Sequence, residues 1–198
     1  MDFGNCWTAQ TSNGYEWHGE DATGSNENSV NTGPFYDNTS FGQAGGVYLY
    51  AEASSPAAAG DKAYLMSPEI DLAQSSHPKM TFHYHMYGVN TGTLEVEISD
   101  NGGSGWQSLY SISGEQQTSG ASAWNSKSLD LTGFTGVVQV RFVATRGAGY
   151  EGDICLDDIS IQNDPPSCAA PINLNVLNTT FNSALLTWTD LNSAQVFK

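Results

Sequence analysis

The chain has 198 residues, six Lys+Arg against 21 Asp+Glu, and a formal net charge of −15 at pH 7. So few cations exclude a basic patch that neutralises nucleic-acid phosphates or an anionic membrane surface. Hydrophobic residues make up 39% and aromatics 11%, too many for a disordered chain, and no apolar run reaches the ~18 residues of a membrane helix.

Asp2 follows Met1 directly, with no basic then apolar run, so the chain reads as a mature or cloned fragment. Residues 8–46 are rich in Gly, Asn, Ser and Thr, with Trp17 and Tyr36 embedded, and read as long irregular surface loop. From Val47 onward short alternating segments are separated by turn residues. Strands are expected at Val47–Glu52, Lys62–Met66, Met80–Tyr87, Thr93–Ser99, Trp106–Ser113, Trp124–Leu131, Val137–Thr145 and Ile154–Gln162. Gly88–Gly92 and Asp100–Gly105 supply turn chemistry between them. No helical period is present, and the spacing predicts an all-β antiparallel sandwich over residues 1–163. Asp164-Pro165-Pro166 signals a linker over 164–168. Ile172–Val176 and Ala184–Trp188 alternate again, so 169–198 reads as the start of a second sandwich. The three cysteines, Cys6, Cys155 and Cys168, are too few for a disulfide scaffold; three buried thiols or one pair and a single thiol remain open.

Several stretches share one likeness. Trp7–Gln10, Gly45–Pro56, Gly60–Pro68, Tyr84-His85-Met86-Tyr87-Gly88, Gly92-Thr93-Leu94 and Gly152-Asp-Ile-Cys-Leu-Asp-Asp-Ile159 together resemble the MAM domain, over residues 2 to about 163. The tail from Pro166 resembles the first strands of a fibronectin type III domain of the bacterial secreted kind. The MAM resemblance implies a jelly-roll β-sandwich, an extracellular address, adhesion or recognition rather than catalysis, and a structural cation, usually calcium. Lys79 stands where animal members carry a cysteine, so their disulfide pattern does not transfer. If the N-terminal and last strands are neighbours, as the resemblance implies, a Cys6–Cys155 bridge is expected.

Strand side chains alternate faces. Met80, Phe82, Tyr84 and Met86 form an apolar face, and His83, His85 and Tyr87 the other. In the next strand Leu94, Val96 and Ile98 point inward, and Glu95 and Glu97 outward. A hairpin pairing Tyr87 with Thr93 would set His85 opposite Glu95 and His83 opposite Glu97, with Arg141 on the same outer face. Three readings follow for this face: a solvated surface with cross-strand contacts, a ligand groove for a glycan, or a transition-metal or carboxylate site. Trp17, in a loop, is a further candidate for stacking on a sugar or for packing.

Asp157 and Asp158 alternate along the last strand, so one of them is expected to share the apolar face. A buried carboxylate is costly without compensation, and Ca²⁺ supplies it through oxygen ligands. The expected ligands are Asp2, Glu52, Asp61, Asp157 and Asp158, each of which could instead cap a turn.

The sequence thus predicts a non-catalytic extracellular recognition or adhesion module with structural calcium, binding a glycan or a protein partner, with neither nucleic-acid binding nor membrane insertion. The alternative is an accessory targeting or spacer domain of a secreted protease or carbohydrate-active enzyme. No His-Glu-x-x-His, nucleophile elbow or phosphate loop is present.

Overall fold

The structure is a computed structural model and describes residues 7–11, 14–22, 29–163, 172–177 and 179–189. Contacts divide the chain into two units, Met1–Asp164 and Pro165–Lys198. The first contains β1 (Thr8–Thr11), β2 (Trp17–Asp21), β3 (Val47–Ala51), β4 (Lys62–Met66), β5 (Ile70–Asp71), β6 (Pro78–His85), β7 (Thr93–Ser99), β8 (Gln107–Ser113), β9 (Asn125–Asp130), β10 (Val137–Thr145) and β11 (Ile154–Asn163). The second contains an antiparallel pair, β12 (Ile172–Leu177) and β13 (Leu185–Thr189).

The eleven strands form two antiparallel sheets. One runs β1-β4-β10-β7-β8, with β5 added on β10; the other runs β2-β3-β11-β6-β9. Their inward residues make one core, including Leu65, Phe82, Tyr84, Leu94, Val96, Val140, Phe142, Ile154 and Leu156. Phe82 and Phe142 meet edge to face across it with centroids 5.0 Å apart. The Tyr110 hydroxyl donates to the Tyr84 hydroxyl at 3.3 Å, satisfying polar ends that the apolar layer would otherwise strand. The all-β sandwich expected from alternation is the fold found.

Three expectations need correction. The stretch 8–46 holds two strands, β1 and β2. Both are edge strands, paired on one side only, to β4 and β3. An edge strand needs few apolar side chains, so its alternation is faint. Trp17 is nevertheless core: it is 2% exposed, and its indole N–H donates to the Ala63 carbonyl on the opposite sheet at 3.1 Å. It is not presented to a ligand.

Next, β6 and β7 are not a hairpin. β6 pairs with β11 and β9, and β7 with β10 and β8. Residues 88–92 cross from one sheet to the other, so His83 and His85 lie on a different sheet from Glu95 and Glu97. Gly88 has φ 134°, and a Cβ there would collide with the Glu151 carbonyl. The crossover therefore needs glycine at that point.

Finally, β11 carries a bulge between Asp157 and Ser160, where Asp158 adopts φ 49°. An extra residue resets the alternation. Ile154 and Leu156 face the core before it, and Ile159 and Ile161 after it. Neither aspartate is forced inward, contrary to the parity argument: Asp157 is half-buried and Asp158 exposed.

Candidate recognition face

The two outer faces of the sandwich differ. On the five-stranded sheet, Ala22, Tyr48, Tyr50, Trp124 and Cys155 form a second buried cluster. Two loop segments close over it. The Trp124 indole donates to the Tyr36 carbonyl at 2.8 Å, and the Phe35 amide to the Gly120 carbonyl at 2.8 Å. His85 is 0% exposed beneath this cover, its ring 5.5 Å from that of Trp124. Burial pushes its imidazole down to about 4, so it is neutral near pH 7. Tyr87 is half-buried, and its carbonyl accepts from the Thr32 hydroxyl and the Gly33 amide. The expected ligand roles of His85 and Tyr87 on an open face are therefore corrected: this face is covered.

The cover is latched to β11. Asp157 accepts from the Asn38 amide at 2.7 Å and from the Asp158 amide at 2.7 Å. Asp158 accepts from the Asn38 side-chain amide and the Thr39 hydroxyl, with the His83 ring nitrogen at 3.7 Å. Desolvation raises the Asp157 carboxyl; the bonds from Asn38 and Asp158 oppose that rise. These carboxylates hold a loop, and His83 is part of the same contact.

On the six-stranded sheet the outward side chains of β10 and β7 meet face to face. Arg141 and Glu97 are register partners. The guanidinium Nε donates to Glu97 Oε2 at 2.6 Å. The guanidinium carbon lies 4.1 Å from the Trp106 ring centroid and 5.0 Å from that of Tyr64. Side-chain exposure is 22% for Arg141 and 18% for Glu97, so the pair is mostly covered and keeps an edge at the surface. Glu95 stands two residues from Glu97 on the same face, opposite Ser111 of β8, and Ser108 stands opposite Glu97. Glu95, Glu97 and Arg141 thus share a face as expected, without the histidines. Tyr64 was not singled out by sequence, although its place between Lys62 and Met66 in an alternating strand marks it as outward.

The carboxylates expected to gather round a cation are spread apart. Asp61 accepts from the Ala58 amide in its own turn, and Glu52 from the Ser54 amide. Asp2 lies outside the described residues. Among the described residues no three His, Cys, Asp or Glu side chains come together as a metal site. The buried carboxylate is a different one, Asp153, 3% exposed. Ala53 N–H donates to it at 2.8 Å. Its carboxyl is raised to about 7, first by burial and then by Glu52, a charge of the same sign. Nearby, the Tyr15 hydroxyl is buried with no hydrogen-bond partner among the described residues. Burial, then the Asp153 charge, push that phenol well above its usual range. Two carboxylates and a stranded phenol oxygen match the donor type of a hard cation, and Arg146, which lowers the Tyr15 phenol and donates to the Ala53 carbonyl at 2.8 Å, is the cation nearby.

Cys155 is buried and its thiol is free. The expected bridge to Cys6 is therefore not formed by Cys155. The reason is topological: β11 lies between β3 and β6 in one sheet, whereas β1, which follows Cys6, belongs to the other. Cys6 and Cys168 lie outside the described residues.

Two antiparallel sheets packed on one core, with loops closed over one outer face and Arg, Glu and aromatic side chains on the other, make this a β-sandwich module. The family model for the MAM domain (meprin/A5/mu) matches residues 2–169, and this chain belongs to the MAM domain family. It is 33% identical over 164 residues to MAM domain-containing glycosylphosphatidylinositol anchor protein 2 of Mus musculus, covering 78% of this chain and 16% of that protein. It is 34% identical over 163 residues to MAM domain-containing protein 2 of Mus musculus, covering 81% and 21%. The chain thus spans a minor part of these relatives. Among solved structures, the K1 cleaved adhesin domain of Lys-gingipain from Porphyromonas gingivalis W83 is similar in fold, with TM-score 0.54, 18% identity, and coverage of 81% of this chain and 94% of that one. The structure of TmCBM61 in complex with β-1,4-galactotriose matches with TM-score 0.51 and 14% identity, covering 80% and 88%. No helix among the described residues is long and apolar enough to cross a membrane.

Proposed function

We propose that this chain is a non-catalytic, extracellular recognition module of a larger protein, and that it binds a glycan through the open face of the six-stranded sheet. The observation that carries this reading is the guanidinium of Arg141, held beside the Trp106 and Tyr64 rings and hydrogen-bonded to Glu97 on the outer face of the six-stranded sheet. Aromatic rings beside polar groups suit a sugar, whose ring has apolar faces and hydroxyl edges. The shared fold of the galactotriose-bound module is consistent with this reading. A structural calcium ion at Asp153 and Glu52, beside Tyr15, belongs to the same proposal: it would neutralise two like charges at the end of β3 and the start of β11. The second unit is proposed to open a fibronectin-type sandwich.

Retention of the purified chain on immobilised polysaccharides tests the function. Binding to at least one glycan supports it. Binding to none, together with capture of a second protein that Trp106→Ala leaves unchanged, overturns it.

A further inference from the structure

We infer that Arg141 and Glu97 together form a clamp for two adjacent hydroxyls of a neutral sugar, of the kind that a 1,4-linked hexose exposes along a polysaccharide. This rests on the reading of the open face as the glycan face and adds which chemistry it selects.

The backbone register sets the two Cα atoms opposite one another, so their side chains emerge together. Nε is committed to Oε2, and the plane of the guanidinium is bounded by two rings. Arginine ordinarily loses much rotamer freedom on binding; here folding has already imposed that order. The bond to Glu97 uses one of the five N–H donors of the guanidinium and one of the two carboxylate oxygens, so further donors and a second acceptor oxygen belong to the same pair. The clamp thus offers donors and an acceptor side by side. Each hydroxyl of a vicinal pair both donates and accepts, so the two patterns are complementary. Ser108, exposed and opposite Glu97, adds a hydroxyl at the rim.

Charge selects against the alternatives. Arg141 and Glu97 neutralise each other, Glu95 adds a negative charge to the same face, and the whole chain carries −15. A sulfated or uronate chain is repelled by that field. The rings that flank the pair supply a surface for the apolar face of the sugar.

The test uses wild-type protein, Arg141→Lys and Glu97→Gln against four immobilised probes: β-1,4-galactan, the same polymer after periodate oxidation and borohydride reduction, a β-1,3-glucan and heparin. Internal 1,3-linked residues have no free vicinal pair, and periodate cleaves such pairs where they exist. Wild type should be retained by β-1,4-galactan and about tenfold or more weakly by the other three. Both variants should lose that retention by a similar factor. Wild-type retention on β-1,4-galactan that both variants keep within twofold overturns the clamp and leaves the module's glycan reading standing. Equal retention on the 1,3-linked or oxidised polymer also overturns the clamp, and it needs no variant to fold. Preference for heparin overturns it through the charge argument. Retention by none of the four overturns the clamp, and the wider polysaccharide panel then decides the glycan reading separately.

Discussion

Arg141 and Glu97 face each other across β10 and β7, 2.6 Å apart, while His85, expected on the same surface, is sealed under a loop on the opposite sheet. One outer surface of this sandwich is therefore closed by its own loops, while on the other Arg141 and Glu97 keep 22% and 18% of their side-chain surface exposed.

Trp17 should behave as a core residue. Trp17→Ala removes a large buried ring and leaves the Ala63 carbonyl without its donor, costing about 3–5 kcal/mol. In a domain of this size that lowers Tm by roughly 10 °C in a thermal scan. Sugar retention measured well below the lowered Tm should be unchanged. An unaltered Tm with lost retention would return Trp17 to a ligand role.

Two buried titrating groups should oppose each other with pH. Asp153 has a folded pKa of about 7, above the ordinary carboxyl value of 3.8, so the folded state holds the proton more tightly. Its contribution to stability is present below the unfolded value and is lost as pH rises towards 7. His85 has a folded pKa of about 4, below 6.5, so its contribution is lost as pH falls from 6.5 towards 4. Between pH 4 and 6.5 the two partly cancel. Denaturant midpoints in chelator should show it: Asp153→Asn steepens the loss of stability on acidification, and His85→Gln produces a gain. The same pH slope in all three proteins would sink the assignment.

Calcium should raise the thermal midpoint relative to chelator, because a ligand of the folded state stabilises it by about 2.7 kcal/mol at one hundred times its dissociation constant. Asp153→Asn should abolish that response. Asp158→Asn should keep it, since Asp158 is engaged by Asn38 and Thr39. Loss of the response in Asp158→Asn alone would move the site to the loop latch.

Cys155 should be inert in the native protein. It is fully buried, and burial followed by the Asp153 and Glu52 charges pushes its thiol well above the usual range. Peptide mapping after native alkylation should find it unmodified, and after guanidinium denaturation without reductant it should be labelled. Absence of label in the denatured sample would mean a disulfide.

Alternation along β6, β7 and β10 was enough to identify Phe82, Val96 and Phe142 as inward and Glu97 and Arg141 as outward. It carries no information about which sheet a strand joins, so it does not distinguish a β6–β7 hairpin from the crossover that separates His85 from Glu95. The hydrogen-bond partners of β6 are β11 and β9, the first of them some seventy residues away, and no local pattern announces that pairing. Asp157 and Asp158 escape the inward face for a related reason: one extra residue at Asp158 reverses the parity, and aspartate tolerates the left-handed conformation that marks it. The buried carboxylate, Asp153, precedes β11, so strand alternation says nothing of its burial. Trp17 lay in polar surroundings that resemble loop, and only its pairing with β3 reveals the strand.

Ligand is proposed to bind the outer face of the six-stranded sheet that carries Arg141 and Glu97. Amide chemical-shift mapping during titration with a neutral 1,4-linked oligosaccharide such as β-1,4-galactotriose tests it most directly. Perturbations are expected to centre on Tyr64, Glu97, Trp106 and Arg141, with Tyr48, His85 and Trp124 unmoved. Perturbations centred on Tyr48, His85 and Trp124 instead, or none anywhere at millimolar sugar, would contradict it.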